Sequence, residues 1–457
     1  MVILISWRLL NSVAMAMASS QKGSRRVLYI AIGVVVVVAL IAAAVLVVYN
    51  PFQQQQKEII IGLSLPLTNP VGIHARKAAE MAVEEINAAG GVRLKDGVYK
   101  LRLVAEDTNE MDPLIPVDQG VAAFKRLIEV HGAHVIVGGV RTDIVVAQTQ
   151  LLSQYKIVYL DIESNQGIVE GKVSQDYENY KYYFHFFGGG PKSSAGPLII
   201  GFLQKLKEMS EKDPNMPDAS KVALLAENAL WTVGLAGRPA GNSTFFKRLA
   251  DLGFKLVYAE LYPTTESDFS SYLAKMKAQC PGVVVFLFSG PPGIIFTKQW
   301  QDYNWAPCKK PIVFGPGLLG GFSWFWDQTG GKAQGTIWWP STVRVSVTPK
   351  TVQFIDKFKQ RYGETPNTAA IDAYDAIYVL KEALERAGTW QADELVKALE
   401  QTDYVGVMGR IKFSRDHHGL DFTYENIYRY FGQWQNGELV PVWEKDWPEI
   451  KNLLIPS

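Results

Sequence analysis

The chain has 457 residues, 48% of them apolar, with 46 Lys and Arg against 45 Asp and Glu and a formal net charge of +1. That composition excludes wholesale disorder and low-complexity fibres, and the near-neutral charge leaves no long-range positive field to gather nucleic acid. Two cysteines, Cys280 and Cys308, exclude a disulfide-dense scaffold and a four-thiolate zinc site while leaving one bridge open.

Residues 27–48 read VLYIAIGVVVVVALIAAAVLVV, without a charge or a strongly polar side chain. A helix of that length covers about 33 Å, enough for a bilayer core. Arg8, Lys22, Arg25 and Arg26 precede it, and the first acid is Glu58. Basic flanks stay on the cytoplasmic side, so residues 1–26 are expected inside the cell and everything after the span outside. The expectation is an uncleaved, single-pass anchor in the cell membrane, followed by a polar linker over 49–57. A cleaved signal peptide is the alternative, although such apolar cores run to about 7–15 residues. No cysteine near the end of the span offers a lipid attachment point, and starts at Met15 or Met17 are both open.

From Lys57 onward, strand-length apolar runs alternate with amphipathic stretches. Residues 58–65 (EIIIGLSL) predict a strand. Ala79, Ala82, Val83 and Ile86 share a stripe of a helix over 75–89, ended by Gly90-Gly91. A strand over 100–106 follows, then a helix carrying Val117, Gly120, Val121, Phe124 and Ile128. Strands over 135–137 and 157–160 flank a helix over 144–155. The rhythm restarts with strands at 222–226, 256–261, 283–288 and 311–314, and helices near 243–252, 269–279 and 294–303. Two more helices cover 350–362 and 369–387. Residues 424–443 alternate around Asn436-Gly437, a strong hairpin signal. Repeated strand–helix–strand units imply parallel sheets with helices on both faces, and two series imply two lobes.

In such sheets ligands sit beyond the carboxyl ends of the strands. The positions there are Thr68-Asn69-Pro70, Gly138 to Asp143, and Asp161 to Asn165. In the second series they are Glu227-Asn228 with Trp231, then Ser289-Gly290, then Gly315-Pro316-Gly317. Two glycines, a hydroxyl and a helix start make the turn at 138–143 informative. Arg141 adds a planar fork suited to a carboxylate, against the plain reading of a helix cap with Arg141 solvated. Ser164 is equally open between cap and ligand hydroxyl. Asp161 and Glu163 could instead hold a divalent metal over a sugar-nucleotide phosphate, against the ordinary reading of ion-paired loop acids. His417-His418 reads as a surface loop. No hydrolase elbow, phosphate-binding loop or dinucleotide fingerprint follows a strand. Trp324, Trp326, Trp338 and Trp339 are either core or an aromatic ligand wall.

Several segments then carry a resemblance. KAAEMAVEEINAAGGV, VIVGGVRTDIVVA, DFSSYLAKMKAQCPGVVVF and YRYFGQWQNGELVPVW, in this order, resemble the branched-chain amino acid binding proteins of ABC importers, the type I periplasmic-binding-protein fold. The match runs from about Glu58 to the C-terminus. It implies two lobes joined by three crossovers, one over 58–186 plus 343–420 and the other over 187–342 plus 421–452. It implies binding of a small solute without chemistry, no cofactor and no metal, and ABC permease subunits as partners. Thr142 with Arg141 match the pair that holds a ligand carboxylate. Glu163 with Ser164 match the next contact pair, Trp231 an aromatic lid, and Ser289 a further contact; Asn69 joins them from the first strand end. Family members that bind α-amino acids place an acid near the turn that reads Gly315-Pro316-Gly317 here. That departure points to an organic acid, amide or aromatic carboxylate, unless Glu163 or Glu227 supplies the charge. A ligand-sensing receptor on the same fold and an anchored glycosyltransferase using Asp161 and Glu163 are the competing readings.

Overall fold

The apolar runs become the centres of two sheets in a computed structural model. It describes residues 57–164, 167–186, 195–420, 430–444 and 447–456, and Gly33 alone among the residues before them. The span read at 27–48 lies, apart from Gly33, outside the described residues. Among the described residues no helix is long and apolar enough to cross a membrane.

The first sheet holds β1 (Glu58–Leu65), β2 (Val92–Leu94), β3 (Gly97–Asp107), β4 (Val135–Gly138), β5 (Val158–Asp161) and β6 (Tyr183–His185), in the order β2-β3-β1-β4-β5-β6. All pairs are parallel except β2 with β3. Central strands covered on both faces have no wet side, so β1 and β4 read as continuous apolar runs rather than as alternation. The second sheet begins with β7 (Lys221–Glu227), β8 (Lys255–Tyr262), β9 (Val283–Leu287), β10 (Ile312–Pro316) and β11 (Ile337–Ser341). A small antiparallel ribbon of β12 (Tyr404–Val405) and β13 (Arg410–Ile411) intervenes. The hairpin of β14 (Tyr430–Gln435) and β15 (Glu438–Trp443) then completes the second sheet, in the order β15-β14-β11-β10-β9-β7-β8. Its turn holds Asn436 and Gly437 at φ of 53° and 88°, the left-handed pair that a two-residue hairpin requires.

Two lobes of α/β structure, each on a largely parallel sheet, are thus the observed architecture. Residues Glu58–Ser457 form one compact unit. The helix Pro70–Ala88 packs on Thr368–Ala387, and small side chains are buried on both: Ala75, Ala78, Ala79 and Ala82 on the first, Ala369, Ala373 and Ala376 on the second. The late helices therefore return to the first lobe. The closing hairpin belongs to the second, where Phe431 stacks on Phe202 at 4.5 Å. Thr342–Thr348 leads from β11 in the second sheet to the helix Pro349–Tyr362; residues 187–194 and 421–429 lie outside the described residues.

Other open questions resolve here. Cys280 and Cys308 form a disulfide. Trp338 is core, edge-on to Phe288 at 4.9 Å. The surface-loop reading of His417-His418 is corrected. His418 is fully buried, stacked on Phe184 at 4.2 Å, with its ring nitrogens against the Tyr183 carbonyl and Glu400.

Candidate functional site

Loops that follow strands in both lobes converge on one cavity of about 290 Å³. From the first lobe come Glu110 and Met111 after β3, Val140 to Asp143 after β4, Glu163 after β5, and Thr368. From the second come Glu227 to Trp231 after β7, Thr264 after β8, Ser289 to Pro291 after β9, Pro316 to Leu318 at the end of β10, and Trp339 with Pro340 on β11.

The turn after β4 needs its glycine. Gly138 has φ of +151°, and a Cβ there would lie 2.0 Å from the Ser64 carbonyl oxygen. This tight passage delivers Arg141 as the cap and Thr142 as the first residue of the helix Thr142–Thr149. Thr142 is buried and lines the cavity. Arg141 also lines it, but its fork is already engaged. Nε and Nη2 donate to the two carboxylate oxygens of Asp143, both at 2.8 Å, and Nη1 donates to the carbonyls of Ile115 at 3.0 Å and Asp112 at 3.3 Å. Its backbone N–H donates to Glu110 Oε2 at 2.8 Å.

Glu110 is 2% exposed, and its Oε1 accepts from the Thr108 hydroxyl at 2.8 Å. Burial pushes its carboxyl up to about 7, against the pull of the Arg141 and Val140 N–H groups and of Thr108. Glu163, also buried, accepts from the Thr368 hydroxyl at 3.1 Å; Thr368 opens the helix Thr368–Ala387, which Asn367 caps. In the second lobe Glu227 is 1% exposed. It accepts from the Ser289 N–H at 3.1 Å, the Ser289 hydroxyl at 2.6 Å and the Trp231 indole N–H. Burial raises its carboxyl above the ordinary range, and those three donors oppose the rise. The cavity wall thus carries three buried acids and apolar surface from Met111, Val140, Leu318, Trp231 and Trp339.

Of the seven residues read as ligand contacts, the structure brings Arg141, Thr142, Glu163, Trp231 and Ser289 to the cavity. Asn69 and Ser164 do not line it. The Asn69 side-chain oxygen accepts from the Val71 N–H and caps the helix Pro70–Ala88. Ser164 is fully buried; its hydroxyl donates to Asp161 and its carbonyl accepts from His185 at 2.5 Å. Asp161 is equally buried and takes the Tyr183 hydroxyl at 2.6 Å. It is an internal anchor rather than one of a metal-holding pair, and among the described residues no cluster of three or more His, Cys, Asp or Glu could hold a metal. Glu110 and Thr368 were not read from the sequence. Glu110 follows the second predicted strand and could have been found by inspecting that strand's end as the others were.

The sequence profile of the periplasmic binding protein family matches residues 58–437. Leu/Ile/Val-binding protein homolog 7 of Brucella abortus is 25% identical over 419 residues, covering 88% of this chain and 94% of that protein. A putative branched-chain amino acid ABC transporter structure from Silicibacter pomeroyi has a TM-score of 0.69 at 20% identity, covering 88% of this chain and 99% of that one. An ABC transporter solute binding protein of R. palustris in complex with benzoate has a TM-score of 0.64 at 17% identity, covering 84% and 95%. With the family profile spanning both lobes and the cavity between them, the chain belongs to the periplasmic binding protein family and is a binding protein rather than an enzyme.

Proposed function

We propose that the chain is the extracytoplasmic solute-binding component of an ABC importer, tethered to the cell membrane through residues 27–48. In this reading it captures a small amino acid-class solute between its lobes and passes it unaltered to permease subunits. The lobes are taken as 58–186 plus 343–420 and 187–342 plus 421–452. The carrying observation is the cavity lined from both lobes, with a helix start on one wall and the buried carboxyl of Glu227 on the other.

The solute's carboxylate is assigned to the Thr142 hydroxyl and the start of the helix Thr142–Thr149. Its ammonium is assigned to Glu227, which brings from the end of β7 the acid missing at Gly315-Pro316-Gly317. Trp231 and Trp339 would cover the apolar part. Contacts from both lobes are available together only when the lobes enclose the solute, so solute favours the closed state. The names of the Brucella and Silicibacter proteins support amino acids as the ligand class. An aromatic carboxylate, as in the R. palustris complex, would find tryptophan walls but meet the buried acids.

A thermal-shift screen of the purified protein against amino acids, organic acids, amides and sugars tests the reading. A ligand held at a hundred times its Kd adds about 2.7 kcal/mol of stability, so amino compounds should raise Tm visibly. A response to sugars alone would overturn the assignment of ligand class.

A further inference from the structure

The sign of the cavity wall carries information beyond the presence of a site. In the first lobe, the N–H groups of Val140 and Arg141 open towards the helix Thr142–Thr149, a natural anion cradle. The chain fills it with its own carboxylate: Glu110 takes both N–H groups, and the Thr108 hydroxyl as well. The one guanidinium on that wall, Arg141, is closed off by its two-pronged pair with Asp143 and by two carbonyls. In the second lobe, Glu227 is held by three neutral donors. Among the described residues neither Glu110 nor Glu227 forms an ion pair with a cationic side chain; their partners are N–H and O–H groups.

An ionised carboxylate offers about four acceptor positions. Glu110 and Glu227 each have three filled, which leaves each room for one further donor. Two nearly dry acids on opposite walls, both short of a counter-charge, are costly to ionise; they favour their protonated forms until a cation reaches them. A solute carrying only negative charge would add to that cost, and a neutral apolar solute would leave it standing. The apolar wall between them, with Trp231 and Trp339, suits a short aliphatic stem, and an aromatic face attracts a cation passing over it.

We propose that the solute is a small cation with a protonated nitrogen at each end, one meeting Glu110 in the first lobe and the other meeting Glu227 in the second. A basic amino acid and a short diamine share this chemistry; a branched-chain amino acid and an aromatic carboxylate lack it. The proposal rests on the inter-lobe cavity being the solute site and narrows what that site takes.

Calorimetric titration of the purified protein with L-arginine, L-lysine, putrescine, L-leucine and benzoate decides it. At least one of the three cations should bind tenfold or more tighter than leucine, and benzoate should bind weakest. Arginine or lysine ahead of putrescine means that the α-carboxylate is read as well; putrescine ahead means that it is not. In Glu110→Gln the preference for the cation over leucine should shrink at least tenfold, a ratio that a general loss of stability would not change. Leucine or benzoate binding as tightly as the cations overturns this inference and leaves the solute-binding reading intact. No binding by any of the five overturns the inference alone, and the thermal-shift screen across all amino acids decides whether the broader reading stands.

Discussion

Replacing Glu110 by glutamine keeps its shape and removes its titration. Its carboxyl is 2% exposed and sits at about 7 in the fold, against an ordinary value of 4.5. The folded protein therefore holds this proton more tightly than the unfolded chain. Below about pH 4.5 the group is protonated in both states, and its full contribution to stability is present. As pH rises towards 7 the unfolded chain releases the proton first, and that contribution is lost. At about 1.4 kcal/mol per tenfold difference in proton affinity, the interval amounts to about 3 kcal/mol by pH 8. Asp375, also raised to about 7 by burial, is common to both proteins and cancels in the comparison. The assay is urea unfolding of ligand-free wild type and Glu110→Gln at a series of pH values. Wild type should lose about 3 kcal/mol relative to the variant between about pH 4.5 and pH 8. A difference that stays constant across that interval would refute the reasoning that burial without a cation governs this wall of the cavity.

Glu227→Gln should weaken binding of an amino solute by about 1.5–3 kcal/mol, the worth of a charged hydrogen bond; calorimetry showing an unchanged Kd removes Glu227 as the ammonium partner. Asn69→Ala should cost about 1 kcal/mol of stability through loss of a helix cap and leave Kd unchanged, and a weakened Kd would return Asn69 to the site. Cys280→Ser with Cys308→Ser opens a loop of sequence separation 28, so urea unfolding should show a loss of about 3.5 kcal/mol. Stability equal to wild type would show that the bridge constrains nothing.

The lobed α/β architecture was legible because the central strands are short, apolar and separated by helical stripes, a pattern set by local periodicity. β11 was not legible: its sequence, IWWPS, carries a proline and two tryptophans and reads as an aromatic cluster until its pairing with β10 is seen. The candidate site was legible where strand ends were inspected, which found Thr142, Glu163, Trp231 and Ser289. Thr368 reaches Glu163 from 205 residues away, and no local pattern announces that contact. Arg141 shows the limit from the other side. Its residue type suits a ligand carboxylate, but Asp143, two positions on, closes its fork, and only geometry chooses between those partners. Asn69 and Ser164, which lie off the cavity, carry the same ambiguity, since a short polar side chain at a strand end serves its own chain as readily as a ligand. His418 was read as exposed because its loop is polar, while its burial comes from Phe184 and Glu400, both distant in sequence.

Whether a solute is captured and returned unaltered is tested most directly by titrating the purified protein to saturation, denaturing the complex, and weighing the released solute by mass spectrometry. The account predicts one solute per chain and a recovered mass equal to that supplied. A changed mass, or saturation at a stoichiometry that one inter-lobe cavity cannot give, would contradict it.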